Sequence, residues 1–191
     1  MSEFTHYKLW KPYGYLSQFI NNQNRRKNKK LLSDLVDVEE NTMAIGRLDE
    51  KSEGLLLLTN NGKLSQLIRS RKVEKEYWVK VDGTLNQSAI DQLQEGVNIS
   101  IYGKIYKTLA CQATLIKDEP IIPTDQKPRA AKHGPTSWLK IIIREGKFRQ
   151  VRKMTAAVGF PCLRLVRYRI GQETLNGLQP GKCIRVNKLN I

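Results

Sequence analysis

Asp49 stands where an acid is least expected. It closes the run Gly46-Arg47-Leu48-Asp49, just ahead of the apolar stretch GLLLLT at 54–59, with Ser52, Glu53 and Gly54 forming a turn between. A carboxylate among cations, at the edge of an apolar element, suits chemistry at a glycosidic carbon, as nucleophile or as stabiliser of positive charge. Hydrolysis by a carboxylate pair needs a second acid aimed at the same bond. Glu53 is the nearest, and the turn-like run EKSEG at 50–54 gives no reason to aim both inward. A plainer reading also stands, in which Asp49 or Ser52 caps a turn, a common task for either residue type. Metal-assisted phosphodiester chemistry is disfavoured: there is no paired set of His and no cluster of carboxylates at ligand spacing. His6, His133 and the three Cys read as structural or incidental.

Positive charge is the second chemical signal. Arg144, Lys147, Arg149, Arg152, Lys153, Arg164, Arg167 and Arg169 lie within one segment that holds a single acid, Glu145. On a helical wheel Arg149, Arg152 and Lys153 share one face, and Val151, Met154 and Val158 the opposite one. For one helix a solvated basic face is explanation enough. Arg164, Arg167 and Arg169 fall on the following strand, where a sheet has no need of arginine. Two elements joined by a Gly-Phe-Pro corner, both presenting Arg, point to a phosphate-binding surface. The run NNQNRRKNKK at 21–30 reads as a mobile basic loop that adds a second contact.

The elements that must position these residues are short and mostly extended. Strands are expected at His6 to Trp10, Gly54 to Thr59, Glu76 to Val81, Thr108 to Ile116, Trp138 to Ile143, Leu163 to Ile170 and Cys183 to Val186. Helices are expected at Leu31 to Val36, at Lys63 to Arg69, from Asn86 as N-cap to Gln94 with Gly96 beyond, and after the Glu145-Gly146 strand end as far as Val158. Residues 117–136 hold four of the seven prolines and read as a long surface loop. Strands outnumber helices and follow one another, so the fold class is α+β with a mixed, mostly antiparallel central sheet flanked by helices. With 191 residues and no inter-domain linker, the chain reads as a single domain of two lobes sharing one sheet.

Composition excludes several classes. Apolar residues make 40% and 13 Gly add to them, which a disordered polycation does not reach. An odd count of three Cys without a C-x-x-C pair excludes a disulfide framework and disfavours structural zinc. GLLLLT is far short of the roughly 20 apolar residues that span a bilayer, and no basic-then-apolar leader opens the chain. The net charge of +15 makes nucleic acid the leading partner and an anionic membrane the weaker one. Sparse aromatics, 7%, disfavour passive stacking across an open sheet.

Read together, these segments resemble a known family. GRLDEKSEGLLLLTNNG at 46–62 is similar to the signature of bacterial ribosomal RNA pseudouridine synthases, the family that modifies small- and large-subunit rRNA. KPYGYLSQF at 11–19, KEYWV at 75–79 and EGKFRQVRKM at 145–154 match its other motifs in order and spacing. The resemblance covers roughly residues 5–186 and is strongest to members that act on large-subunit (23S) rRNA. Phe148 stands where many members have Asn, and Lys147 and Lys153 stand where many have Arg. Many relatives also begin with a small RNA-binding domain, for which Met1 leaves no room.

The resemblance implies an isomerase that needs no metal or cofactor, works as a cytoplasmic monomer, and holds its cleft across the sheet. In it the N1–C1′ bond of a uridine breaks, the uracil turns, and C5 bonds to C1′. Asp49 corresponds to the essential aspartate, which adds to C1′ or takes a proton from C2′. Either route needs an ionised carboxylate. An ordinary Asp titrates near about 4 and burial alone raises that, so an opposing charge is required. By the same correspondence Arg152 pairs with Asp49, with Lys147 the next candidate. Tyr77 stacks on the base and helps remove the C5 proton, or packs as a core aromatic. Arg47 fills the space the flipped nucleotide leaves, and Lys147, Arg149, Lys153, Arg164, Arg167 and Arg169 bind RNA. Leu48 and Leu55 to Leu58 only pack. The rival reading is a non-catalytic RNA-binding or ribosome-assembly protein, which has no use for Asp49 or Tyr77.

Overall fold

A computed structural model describes residues 4–20, 29–123 and 134–191. The elements in chain order are β1 (His6–Lys11), a 3-10 turn (Leu32–Asp34), β2 (Met43–Ala44), β3 (Glu53–Thr59), α1 (Gly62–Arg69) and β4 (Lys75–Asp82). There follow α2 (Gln87–Glu95), β5 (Asn98–Ile101), β6 (Lys104–Lys107), β7 (Gln112–Ile116) and β8 (Thr136–Ile143). The chain ends with α3 (Gln150–Ala157), β9 (Cys162–Ile170), β10 (Glu173–Thr174) and β11 (Cys183–Val186). Nine strands make one mixed sheet in the order β11-β1-β3-β9-β4-β8-β7, with β2 beside β3 and β10 beside β9. β3 and β9 run parallel, Gly54 opposite Arg167, whereas β1, β4, β7, β8 and β11 pair antiparallel with their neighbours. The fold is therefore α+β, mixed and mostly antiparallel.

The run of four leucines is explained by its place. β3 lies between β1 and β9, and all seven of its residues are buried. Leu55 and Leu57 pack with Trp10, Ile68, Val166 and Ile170 on one face, and Leu56 and Leu58 with Tyr7, Leu9 and Leu32 on the other. A strand covered on both faces reads as continuous apolar sequence instead of an alternation. A third cluster joins Tyr77, Val79 and Val81 of β4 to Leu139, Ile141 and Ile143 of β8, with Leu93 of α2 and Val151 and Met154 of α3 over them. At the β3–β9 contact a Cβ on Gly54 (φ 109°) would stand 2.4 Å from the Arg167 carbonyl oxygen, so glycine is what lets the two backbones meet.

Asn86 caps α2 as expected, its Oδ1 accepting from Ala89 N–H at 2.9 Å, and Asn61 caps α1, its Oδ1 accepting from Leu64 N–H at 3.0 Å. Four expectations change. The segment 31–36 makes a single 3-10 turn. α3 begins at Gln150, because residues 145–149 form a loop anchored by the buried Glu145 carboxylate, which accepts from Tyr106 Oη, Leu109 N–H and Gln150 Nε2. β7 begins at Gln112, since residues 108–111 are tied back to the end of α2 through Thr108 N–H on Val97 O and Cys111 N–H on Gln94 O. A hairpin, β5–β6, stands where no element is expected. Of the basic loop at 21–30, residues 21–28 lie outside the described residues, as do 124–133 of the proline-rich loop.

Candidate active site

The turn at 49–52 enters β3, closed by Ser52 N–H on Asp49 O at 3.0 Å. Its position is fixed from behind. Ser17 Oγ accepts from Leu48 N–H and donates to Leu48 O, both at 2.9 Å, and Gly14 N–H bonds Glu50 O at 2.8 Å. The Asp49 carboxylate, one-quarter exposed, therefore faces α3 across a narrow cleft. Arg149 Nη1 stands 3.3 Å from Asp49 Oδ2 and Arg152 Nε 4.0 Å from the same atom.

Arg149, placed by the sequence in the RNA-binding set, is thus the nearer cation. It sits in the left-handed region at φ 51°, which costs a non-glycine residue energy and turns it out of the helical series. Arg152, 10% exposed, is held more firmly: Nη2 donates to Lys51 O at 2.5 Å and to Ser52 Oγ at 3.2 Å, and Nη1 to Cys162 Sγ at 3.3 Å. It braces the turn that carries Asp49 as well as facing the carboxylate.

Arg47, Leu48, Asp49, Ser52, Tyr77 and Lys147 are among the residues that line a cleft of about 60 Å³ here. A second cavity of about 280 Å³ adjoins it, with Arg47, Tyr77, Gly146 and Lys147 common to both, and is lined further by Arg69, Lys75 and Arg167. Tyr77 is buried on β4 with its ring in the core cluster and on the wall of both spaces. Arg47 and Lys147 are exposed at the rim, Lys147 Nζ lying 4.9 Å from the Tyr106 ring. Lys153 sits beyond the rim, its Nζ on Ser100 O at 2.6 Å. Among the described residues no group of three His, Cys, Asp or Glu is placed to hold a metal ion.

The arginines of β9 correct the expectation of a phosphate-binding strand. Arg164 pairs with the buried Glu53 and donates to Ile122 O and Pro123 O. Arg167 is 5% exposed, with Nε on Leu55 O at 2.7 Å. Arg169 joins Glu76 at 2.9 Å, Glu74 at 3.3 Å and Gly171 O at 2.7 Å. β9 runs between β3 and β4, so Arg164 and Arg169 pair with carboxylates on or beside neighbouring strands, while Arg167 bonds β3 through Nε and also lines the larger cavity. The legible signal was the set Glu53, Glu74 and Glu76 on or beside those neighbours.

The profile of the RNA pseudouridylate synthase family matches residues 6–157. The chain belongs to that family. It is 43% identical over 174 residues to "Ribosomal large subunit pseudouridine synthase E" of Vibrio vulnificus (strain CMCP6), covering 90% of this chain and 70% of that one. To the protein of the same name from Xanthomonas campestris pv. campestris it is 41% identical, covering 91% of each. Among solved structures a pseudouridylate synthase superposes with a TM-score of 0.75 at 25% identity, over 97% of this chain and 71% of the other. Pseudouridine synthases are isomerases, and Arg47, Asp49, Tyr77, Arg149 and Arg152 lie within the matched residues.

Two measurements check the electrostatics. Arg164→Gln removes one buried ion pair, that of Arg164 with Glu53, and is expected to destabilise the fold in urea unfolding by up to about 3–5 kcal/mol. The salt dependence of RNA affinity should be unchanged; a shallower salt slope with intact stability would return Arg164 to the RNA surface. Lys11 is fully buried, its Nζ on Pro12 O and Tyr15 O, the two acceptors a neutral amine can serve. Burial pushes Lys11 down to about 7, with Glu53 opposing that fall and Arg167 adding to it; burial, then Arg167, pushes Lys75 down to about 8. Above these values and below the ordinary lysine range the unfolded chain binds more protons, so stability rises with pH. The melting temperature should climb from pH 7 to 8.5, and Lys11→Met should flatten the climb; an equal slope in both proteins would contradict this.

Proposed function

We propose that this chain converts a uridine of large-subunit ribosomal RNA to pseudouridine, with Asp49 as the group that acts on the ribose. One juxtaposition supports the reading most: the Asp49 carboxylate stands against two guanidiniums, those of Arg149 and Arg152, in a cleft whose wall includes Tyr77. The RNA class is carried over from relatives above 40% identity that are named for the large ribosomal subunit, and such a substrate sets the reaction in the cytoplasm.

The reaction is an isomerisation, so nothing enters or leaves except protons exchanged with water. The target nucleotide leaves its stack, which costs a few kcal/mol. Arg47, exposed at the rim, offsets part of that by stacking in the vacated space. Asp49 then meets the ribose as an anion, adding to C1′ or taking the C2′ proton, while Arg149 and Arg152 supply its counter-charge. The N1–C1′ bond breaks, the uracil turns against the Tyr77 ring, and C5 bonds to C1′ as Asp49 leaves C1′ or gives the proton back to C2′. In this reading Tyr77 helps move the C5 proton to water, and the chain works as a monomer.

Release of tritium from rRNA labelled at uridine C5 tests the proposal. The unaltered chain should release label from large-subunit rRNA, and Asp49→Asn none while still binding that RNA. Tyr77→Phe should fold, bind, and turn over about 10²-fold more slowly. Equal release by the unaltered chain and Asp49→Asn, or silence from the unaltered chain on naked and ribosomal RNA alike, would overturn it.

A further inference from the structure

The β5–β6 hairpin turns through two residues, Tyr102 at φ 49° and Gly103 at φ 80°. A two-residue turn with positive φ at both positions calls for Asn-Gly or Asp-Gly, and a bulky side chain at the first position is strained. Tyr102 recovers little by burial, since it is 81% exposed. Its ring instead lies on that of Phe148, with centroids 5.5 Å apart and planes 18° from parallel. Phe148 is itself 49% exposed and sits in the chain between Lys147 and Arg149, both of which line the cleft that holds Asp49. A strained residue kept at a turn to display an aromatic ring is the kind of feature that accompanies function.

Cations surround the pair. Lys153 Nζ lies 5.1 Å from the Phe148 ring and is fixed to the hairpin through Ser100 O. Lys147 Nζ lies over Tyr106 of β6, and Lys104 is exposed directly after the turn. Open aromatic faces within a collar of ammonium groups are what an unpaired nucleotide uses: the base stacks while its phosphates are neutralised. A base within a duplex is already covered on both faces and gains nothing from such a surface.

We propose that Tyr102 and Phe148 form a stacking platform for an unpaired base of the RNA, next to the nucleotide that enters the cleft. The proposal rests on the RNA-modifying reading above and narrows its substrate to RNA that is single-stranded or bulged beside the target.

Binding of a fluorescein-labelled RNA stem-loop, compared with a fully paired RNA of equal length, tests the platform directly. Tyr102→Asn and Phe148→Ala should each weaken binding of the stem-loop about tenfold, with little change for the duplex. Tyr102→Phe should bind as the unaltered chain does. Tyr102→Asn also creates the preferred Asn-Gly turn, so its melting temperature should be no lower than that of the unaltered chain. In turnover the loss should fall on KM, with kcat kept. Unchanged affinity in both variants, equal losses on paired and unpaired RNA, or a lower melting temperature for Tyr102→Asn would overturn the platform. Absence of isomerisation by the unaltered chain would instead contradict the synthase reading, and the binding comparison would still decide the platform.

Discussion

The approach of the Arg149 and Arg152 guanidiniums to the Asp49 carboxylate, beside Leu48, Val151 and Leu165, is the contact on which the cleft depends. A carboxylate withdrawn from water without a partner is costly enough that it protonates or the site opens. Here the partners come from one short segment that ends a loop and begins a helix. Arg149 reaches the carboxylate because it leaves helical geometry, and it can do so because Glu145 fastens the preceding loop to Tyr106, Leu109 and Gln150. Arg152 lies one turn further on and grips the backbone of the turn itself at Lys51. The two guanidiniums therefore fix both the charge and the location of the acid.

That arrangement holds only if β3, β9 and β4 keep their relative positions, since the first carries the Asp49 turn and the last carries Tyr77. β9 lies between them and ties both with its arginines: Arg164 to Glu53, Arg167 to the backbone of Leu55, Arg169 to Glu74 and Glu76. Gly54 allows the close parallel approach of β3 to β9 at the place where the turn begins. Among the described residues, the cations that face the cleft rim and the larger cavity include Arg47, Arg69 and Lys147, with Lys153 beyond.

Much of this was legible in the residues. Long apolar strands, the Asn86 cap and the Gly96 stop follow from local rules, and the fold class follows from their order. What local rules do not carry is pairing between distant segments. β3 lies against β9 although more than a hundred residues separate them, so nothing near Arg164 or Arg169 reveals that Glu53, Glu74 and Glu76 will pair with them, or that Arg167 will bond the Leu55 carbonyl. The helical wheel placed Arg149 by assuming helical geometry at a residue whose φ is positive, and the motif correspondence named Arg152 as the partner of Asp49, with Arg149 left to the RNA surface. The hairpin escaped notice for a related reason. Its alternation Ile99, Ile101, Ile105 is visible, but the turn is marked by Tyr102 in the place where Asn or Asp would announce it.

The most direct test of the account is a crystal structure of Asp49→Asn bound to its substrate RNA. The uridine should be turned out of its stack, its base against the Tyr77 ring, and its C1′ within about 3–3.5 Å of the residue 49 side chain, the range of a reactive approach. A complex in which the uridine stays stacked in the RNA, or in which the ribose lies against β9 and away from residue 49, would contradict it.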